Sequence, residues 1–342
     1  PGVTVGRDGT VTAMGEQVRK VTVDGKEFFG DDATAALKNL PASVIDKIQV
    51  FDRLSDQAQL TGFDDGNSVK TVNIVTKSGI KNGQFGRIYA GGGTDSRYAA
   101  GGNVSFFKGD RRLSLVANFN NINQQNFASQ DLLGATSSSG GGGRGGGRGG
   151  MGGGSDNFNV GQSSGISKTN ALGINFSNVY AKKLTLTGSY FFNNSHNTNE
   201  SVTNTETFDD TKNRFSLQKS TSVNDNTNHR LNLRLEYKID SSNSLFIIPS
   251  VSFQKSRSSS FSSQNIYEGL ADSISNLITP KSTSDRNGYN IRNNMFFRHS
   301  FPKRGRSLSV GFNTTFTKND GESISDTRYR FYDSLYAFAY DS

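Results

Sequence analysis

Cysteine and tryptophan are absent from this 342-residue sequence, and histidine occurs only three times. The lack of cysteine excludes disulfide bridges and cysteine-based metal or catalytic sites. No run of apolar residues approaches the roughly 18 that a transmembrane helix needs, and only 32% of the residues are hydrophobic. Strands of a transmembrane β-barrel need only about 9–11 residues with every second one apolar, so this class stays open.

Aromatic residues are plentiful: there are 25 Phe and 11 Tyr residues, set among many Ser, Asn, Thr and Gly residues. A disordered chain is also rich in Ser and Gly, but it is poor in aromatic residues. The composition therefore favours β-structure with one apolar and one polar face. The net charge of +8 suits lipid headgroups, lipopolysaccharide or nucleic acid, and equally an ordinary solvated surface.

Residues 1–79 have the pattern of a small α+β domain. The dipeptide Asp24-Gly25 lies between two segments rich in valine, and it predicts a β-hairpin. An aspartate-capped run of Ala and Leu then predicts a short helix that ends at Pro41. Residues 69–75 are predicted to form the last strand of this domain.

From about residue 83 onward, apolar residues alternate with polar ones, which predicts strands with two different faces. We count about nine complete strands and a tenth that begins near Tyr329. The intervening polar residues suit a wet lumen better than a packed core. The apolar residues predicted to face lipid include Leu113, Leu115, Leu172, Ile174, Leu231, Leu233, Leu235, Leu308 and Val310.

The connections between these strands are of two kinds. Four are short, and between them lie long polar loops at about residues 122–168, 194–228 and 255–288. This asymmetry is typical of an outer-membrane barrel. The Gly-rich segment 140–154 predicts a flexible extracellular loop, because it has two arginines and no aromatic residue with which an RNA-binding segment would stack on bases.

Five segments of the N-terminal domain follow one another in a characteristic order: Pro1-Gly2-Val3, Val21-Thr22-Val23-Asp24-Gly25-Lys26, Asn39-Leu40-Pro41-Ala42, Ile48-Gln49-Val50 and Val72-Asn73-Ile74-Val75-Thr76-Lys77. In this order they resemble the plug domain of TonB-dependent outer-membrane receptors of the type common in Bacteroidota. The resemblance implies a mainly β fold. A small α+β plug, residues 1–79, would precede antiparallel up-and-down transmembrane barrel strands in residues 83–342. These would be about 9–10 of the roughly 22 strands of a plugged barrel, so we expect the chain to be a fragment.

The same resemblance implies a function in the cell outer membrane. Such receptors import a scarce or bulky nutrient (a siderophore, cobalamin, a glycan or a peptide) through a plugged barrel. The expected partners are outer-membrane lipid, lipopolysaccharide, a periplasmic TonB-type energy-coupling protein and, in some members, a surface lipoprotein. No enzymatic activity, cofactor, metal or nucleic acid is expected. The alternative is a barrel for adhesion or envelope assembly, and a soluble RNA-binding protein is a third reading that depends on the Gly/Arg segment alone.

Candidate site residues are few. The loop aromatics Phe127, Phe158, Phe208 and Tyr267 are candidates for ligand binding, although the same rings are suited to packing the loops or lying near headgroups. The turn conformation accounts fully for Asp24 and Gly25. The three histidines, at positions 196, 229 and 299, belong to no nucleophile or metal motif, so no catalytic residue is predicted.

Overall fold

The structure is a computed structural model that describes residues 2–5, 11–29, 37, 40, 42–77, 82–124, 165–208, 213–268, 274–303, 305–332 and 338–341. In this part of the chain the strands form three sheets, of three, four and ten strands. The two smaller sheets belong to residues 2–77, which we call the N-terminal unit. The ten-stranded sheet contains the strands that follow residue 81.

The N-terminal unit combines two small sheets with one short helix. The three-stranded antiparallel sheet consists of β1 (Val3–Val5), β2 (Val11–Ala13) and β3 (Glu16–Gln17). The other sheet has the order β5-β4-β7-β6, with β4 (Lys20–Val23), β5 (Lys26–Glu27), β6 (Ile45–Leu54) and β7 (Ser68–Thr76). A 3-10 turn (Ala42–Val44) precedes β6, and helix α1 (Asp56–Thr61) connects β6 to β7. The parallel pairing of β4 with β7 places buried Val and Ile side chains of both strands in the core of the unit.

The predicted hairpin at Asp24-Gly25 is confirmed. β4 and β5 pair antiparallel on either side of this dipeptide. Both turn residues have positive φ, 46° at Asp24 and 80° at Gly25, as the tightest hairpin turns require. The helix predicted before Pro41 lies almost wholly outside the described residues.

The ten-stranded sheet is an antiparallel meander in which each strand pairs with the next one in the sequence, from β8 to β17. Its strands are β8 (Asn82–Gly92), β9 (Tyr98–Lys108), β10 (Arg111–Asn120), β11 (Ile166–Tyr180), β12 (Leu184–Thr207), β13 (Arg214–Lys238), β14 (Asn243–Glu268), β15 (Ile274–Ser300), β16 (Ser307–Tyr332) and β17 (Phe338–Asp341). The up-and-down prediction is therefore confirmed. Among the described residues, the sheet is open, with β8 and β17 as its two edge strands.

The two faces of this sheet differ. In β10, Arg112, Ser114 and Val116 are buried against the N-terminal unit, while Leu113 and Leu115 point the other way. We call the side toward the N-terminal unit the inner face and the opposite side the outer face. Strand pairing places all nine apolar residues predicted to face lipid on the outer face.

The prediction of long loops is wrong for two of the three segments. Residues 194–228 and 255–288 belong mostly to strands β12 to β15, which are 24–27 residues long and are joined by connections of four to six residues. Polar side chains occupy both faces in this part of the strands, so the alternation that indicates a strand disappears. The tenth strand begins at Phe338, not near Tyr329, which lies inside β16.

Candidate functional site at the interface of the two units

Apolar contacts join the N-terminal unit to the inner face. The ring of Phe29 lies 5.5 Å from that of Phe191 on β12. Val116 and Ala171 of the sheet belong to the same buried cluster as the core of the N-terminal unit. Helix α1 also contacts β15 and β16. The inner face of the sheet therefore completes the core of the N-terminal unit.

Arg112 of β10 forms a first polar anchor, to the hairpin of the N-terminal unit. Its guanidinium donates to the carbonyl oxygen of Val23 at 2.7 Å and to the carboxylate of Asp24 at 2.9 Å. The same carboxylate accepts hydrogen bonds from the backbone N–H and the hydroxyl of Thr76, both at 2.8 Å. Asp24 therefore ties the hairpin, the end of β7 and the ten-stranded sheet together. Close by, the Lys26 ammonium contacts Asp110 at 3.1 Å, in the short turn between β9 and β10.

Arg234 of β13 is the centre of a second anchor. We call Lys20, Glu27, Arg53, Asp56, Arg234 and Glu236 the Arg234 cluster. The Arg234 guanidinium pairs with Asp56, with Glu27 at 3.6 Å and with Glu236 at 2.6 Å. Lys20 and Arg53 each approach Glu27 at 3.4 Å. The guanidinium also lies over the ring of Phe246, 5.5 Å from its centroid.

Burial makes these charges interdependent. Burial alone would raise the pKa of Glu27, but Lys20, Arg234 and Arg53 outweigh that effect and lower the pKa below its usual value. The pKa of Asp56 is lowered as well, because the same three cations and a hydrogen bond from Arg234 outweigh its desolvation. Both carboxyl groups are therefore ionised at neutral pH, and each stabilises the assembled state only in that form.

The cluster should consequently weaken in acid. A lowered folded-state pKa contributes stability that is complete above the ordinary values, 4.5 for Glu27 and 3.8 for Asp56, and that is lost as the pH falls through the folded values. We expect the urea midpoint of the N-terminal unit to be insensitive to pH near neutrality. When the pH is lowered below about 4, the midpoint should decrease. The readout is a fluorophore on Ser68→Cys, an exposed position.

The control for this experiment is the pair Glu27→Gln and Asp56→Asn, which keeps the shape of both side chains but removes their titration. The double variant should have a lower midpoint at neutral pH and a flatter dependence on pH. If it shows the same acid transition as the unaltered protein, groups other than Glu27 and Asp56 cause that transition.

On the outer face, strand pairing aligns apolar side chains into continuous rows. One row crosses eight neighbouring strands: Val104, Leu115, Ile174, Tyr190, Leu231, Val251, Ile291 and Phe316. A second row near the short turns consists of Leu184, Tyr237, Leu245, Phe297 and Val310. On the other side, a row of aromatic and basic residues ends the apolar region: Phe192, His229, Phe253, Tyr289 and Lys318. We call the region from the second row to the aromatic row the outer belt.

The structure does not gather the candidates from the sequence into one site. Phe127 and Phe158 lie outside the described residues. Phe208 follows the end of β12 with 75% of its surface exposed, and Tyr267 pairs with Phe215 on the outer face of β13 and β14. A ligand-binding role for these four residues stays a prediction.

The histidines have ordinary polar or aromatic neighbours. His196 lies 2.6 Å from Asp225 on the outer face, His229 contacts the Tyr190 hydroxyl at 2.8 Å, and the ring of His299 lies 4.7 Å from that of Phe301. Among the residues that the structure describes, no group of three or more His, Asp or Glu side chains could hold a metal ion. In the same part of the chain, no helix has the length and hydropathy needed to cross a membrane.

No protein-family model and no curated protein matches this sequence. Solved receptor structures are similar at low identity. They include the ferric yersiniabactin uptake receptor FyuA from Yersinia pestis, with 10% identity, a TM-score of 0.27 and coverage of 97% of this chain and 58% of that chain. The outer-membrane ferripyoverdine receptor of Pseudomonas aeruginosa has 14% identity, a TM-score of 0.28 and coverage of 97% and 51%. BauA, the ferric preacinetobactin receptor from Acinetobacter baumannii, has 8% identity, a TM-score of 0.29 and coverage of 97% and 57%. This chain thus spans 51–58% of the length of these receptors, and its function is argued below from its own residues.

Proposed function

We propose that this chain is the plug and the first part of the barrel of a TonB-dependent outer-membrane receptor, a transporter that imports its ligand through a gated barrel. The N-terminal unit is the plug, and the ten-stranded sheet is part of the barrel wall. The two-sided character of that wall carries the proposal. Its outer face has an apolar belt that ends at an aromatic row, and its inner face holds the plug through two charged anchors.

The outer belt has the dimensions of a membrane-spanning wall. On β13 it extends from His229 to Tyr237, nine residues, which matches the length of a transmembrane strand. The aromatic row suits the membrane–water interface, where such rings are enriched. Strand pairing satisfies the backbone polar groups, as the hydrocarbon region requires. We propose that the belt contacts lipid and that the longer parts of β12 to β16 extend beyond the outer surface, at the level of lipopolysaccharide.

The contacts of the plug suit a gate. Short turns of such barrels face the periplasm, and Lys26 reaches one of them through Asp110. The plug is therefore placed toward the side from which an energy-coupling protein would act. Polar anchors such as Arg112 and the Arg234 cluster hold the plug by a few specific contacts. Their release would open a path along the polar inner face.

Removal of the plug from the full-length receptor tests this function. The intact protein in a planar lipid bilayer should stay closed, and the variant that lacks residues 1–79 should form a large, steady pore. A barrel that serves adhesion or envelope assembly without transport would show no new conductance after the deletion. That result, with the deleted protein still inserted and resistant to protease, would contradict the proposal.

A further inference from the structure

Above the plug, the inner face changes character. Phe191 on β12 contacts Phe29 of the plug, and β12 to β16 continue well beyond the level of this contact. Strand pairing arranges the inner residues there into rows. We call two adjacent rows the neutral wall: Asn197, Asn224, Ser258, Ser284 and Ser323, and next to them Asn199, Ser222, Ser260, Ser282 and Ser325. Every side chain of the neutral wall is an amide or a hydroxyl.

The outer face of the same strands is different, although its residues alternate with those of the wall. The row behind it contains His196, Asp225, Arg257, Asp285 and Glu322. Arg257 and Asp285 form an exposed ion pair at 2.7 Å. Charge is therefore sorted to the outside of these strands. A general preference for Ser and Asn in this part of the chain would not produce that division.

The floor below the neutral wall has polar atoms that lack partners within the protein. Asn290, on the row of Phe191, has only 9% of its surface exposed, and its side-chain oxygen has no hydrogen-bond partner among the described residues. The same is true of the side-chain oxygen of Asn193 and the side-chain nitrogen of Asn228, which pair across β12 and β13 one row higher. Buried amides that are not hydrogen-bonded are unfavourable. Amides placed in this way suit a ligand that brings its own hydrogen-bonding groups.

One charged residue faces inward between the floor and the neutral wall. Arg286 pairs with Gly321, and a Cβ at that glycine would lie 2.8 Å from the Cγ atom of Arg286. Glycine therefore leaves space beside the arginine stem. Lower on the inner face, plug carboxylates engage Arg112 and Arg234, and the guanidinium of Arg230 lies over the ring of Phe191, 4.9 Å from its centroid.

We propose that the neutral wall binds an uncharged, polyhydroxylated ligand of the oligosaccharide class, and this rests on the transport function proposed above. Amides and hydroxyls both donate and accept, so they match the hydroxyl groups of a sugar chain. An apolar ligand would bury these groups without partners, at a cost for each one. An anionic ligand would find no cation within the two rows. A peptide would present side chains that find neither apolar nor charged partners there.

The test uses the full-length receptor in detergent and an array of neutral oligosaccharides, acidic oligosaccharides and anionic ferric chelates. A neutral member should bind best, and its affinity should not change with ionic strength, because it makes no charge contacts. The variant Ser258→Asp with Ser284→Asp places two charges on neighbouring residues of the wall and should weaken binding at least about tenfold. The matched control, Ser259→Asp with Thr283→Asp, changes the adjacent residues on the outer face and should bind normally.

The proposal would be overturned if an acidic oligosaccharide or an anionic chelate bound best, or if no neutral oligosaccharide of the array bound at all. Equal losses in the two double variants would do the same, since they would indicate a general disturbance of β14 and β15. These failures are distinguishable from failure of the transport function. A receptor that forms a pore without its plug but binds no neutral oligosaccharide keeps the proposed function and loses only this ligand class.

Discussion

Replacement of Arg234 by alanine should release the plug more readily than any other single change on the inner face. The Arg234 side chain is 7% exposed, and its partners Glu27 and Asp56 are 12% and 21% exposed. Removal of one partner from a buried ion pair typically costs about 3–5 kcal/mol, because the other charge stays buried without compensation. Lys20 and Arg53 still contact Glu27, so we expect a loss near the lower end, about 3 kcal/mol.

Hydrogen exchange of the β4 and β7 amides measures this loss as a lower free energy of plug opening. The matched control is Arg257→Ala, which removes an arginine from an ion pair on the outer face whose members are 62% and 45% exposed. Exposed pairs contribute about 0–1 kcal/mol, so this control should leave plug exchange unchanged.

A double-mutant cycle separates the ion pair from the contact of the Arg234 guanidinium with the ring of Phe246. Asp56→Asn should cost less in the Arg234→Ala background than in the unaltered protein, since its partner is already absent. Additive effects of the two changes would mean that the plug is not held by this charge pair.

Introduction of a charge on the opposite face should damage assembly instead of gating. Leu233 lies on the outer face of β13, midway between His229 and Tyr237. An arginine near the bilayer midplane of a barrel costs about 2–4 kcal/mol. Leu233→Arg should therefore lower the urea midpoint for folding of the receptor into lipid vesicles. Folding is measured by the mobility of the unheated protein in a gel.

Two control variants identify the cause. Val223→Arg also lies on the outer face of β13, but beyond the aromatic row, where such a charge costs only about 0–1 kcal/mol. Leu233→Ala measures the packing of the leucine against Gly188, where a Cβ would lie 2.7 Å from its Cδ2 atom. Normal assembly of Leu233→Arg, or an equal loss in Val223→Arg, would show that lipid does not surround this position.

The sequence is informative about the fold where the two faces of a strand differ. In β10 and β11 the leucines alternate with polar residues, and that period identifies both the strands and their outer face. In the outer parts of β12 to β15 both faces are polar, so the period is lost and the residues resemble loops. Neighbouring strands supply the missing signal, because long-range pairing satisfies the backbone of segments that have no apolar face of their own.

The polar contacts of the plug were not predictable in the same way. Arg234 has leucines on both sides in the sequence, and this places it on the inner face of a strand. That pattern indicates an inward charge but not its partner. Glu27 and Asp56 come from a strand edge and the start of a helix, about 200 residues earlier in the chain, and only the packing of the whole plug against the sheet brings them to Arg234.

The central claim, a membrane-spanning wall with a plug on its inner side, is tested most directly on β13. The sequence has no cysteine, so single cysteines at positions 229–238 can carry a spin label in the otherwise unaltered receptor in vesicles. Oxygen, which concentrates in lipid, should relax labels at the outer positions, as in Leu231→Cys, Leu233→Cys and Leu235→Cys. Labels at Asn232→Cys and Glu236→Cys should be shielded from oxygen, with a strict alternation between the two sets. Equal accessibility to oxygen at odd and even positions, or oxygen contact on the side of Arg234, would contradict this account.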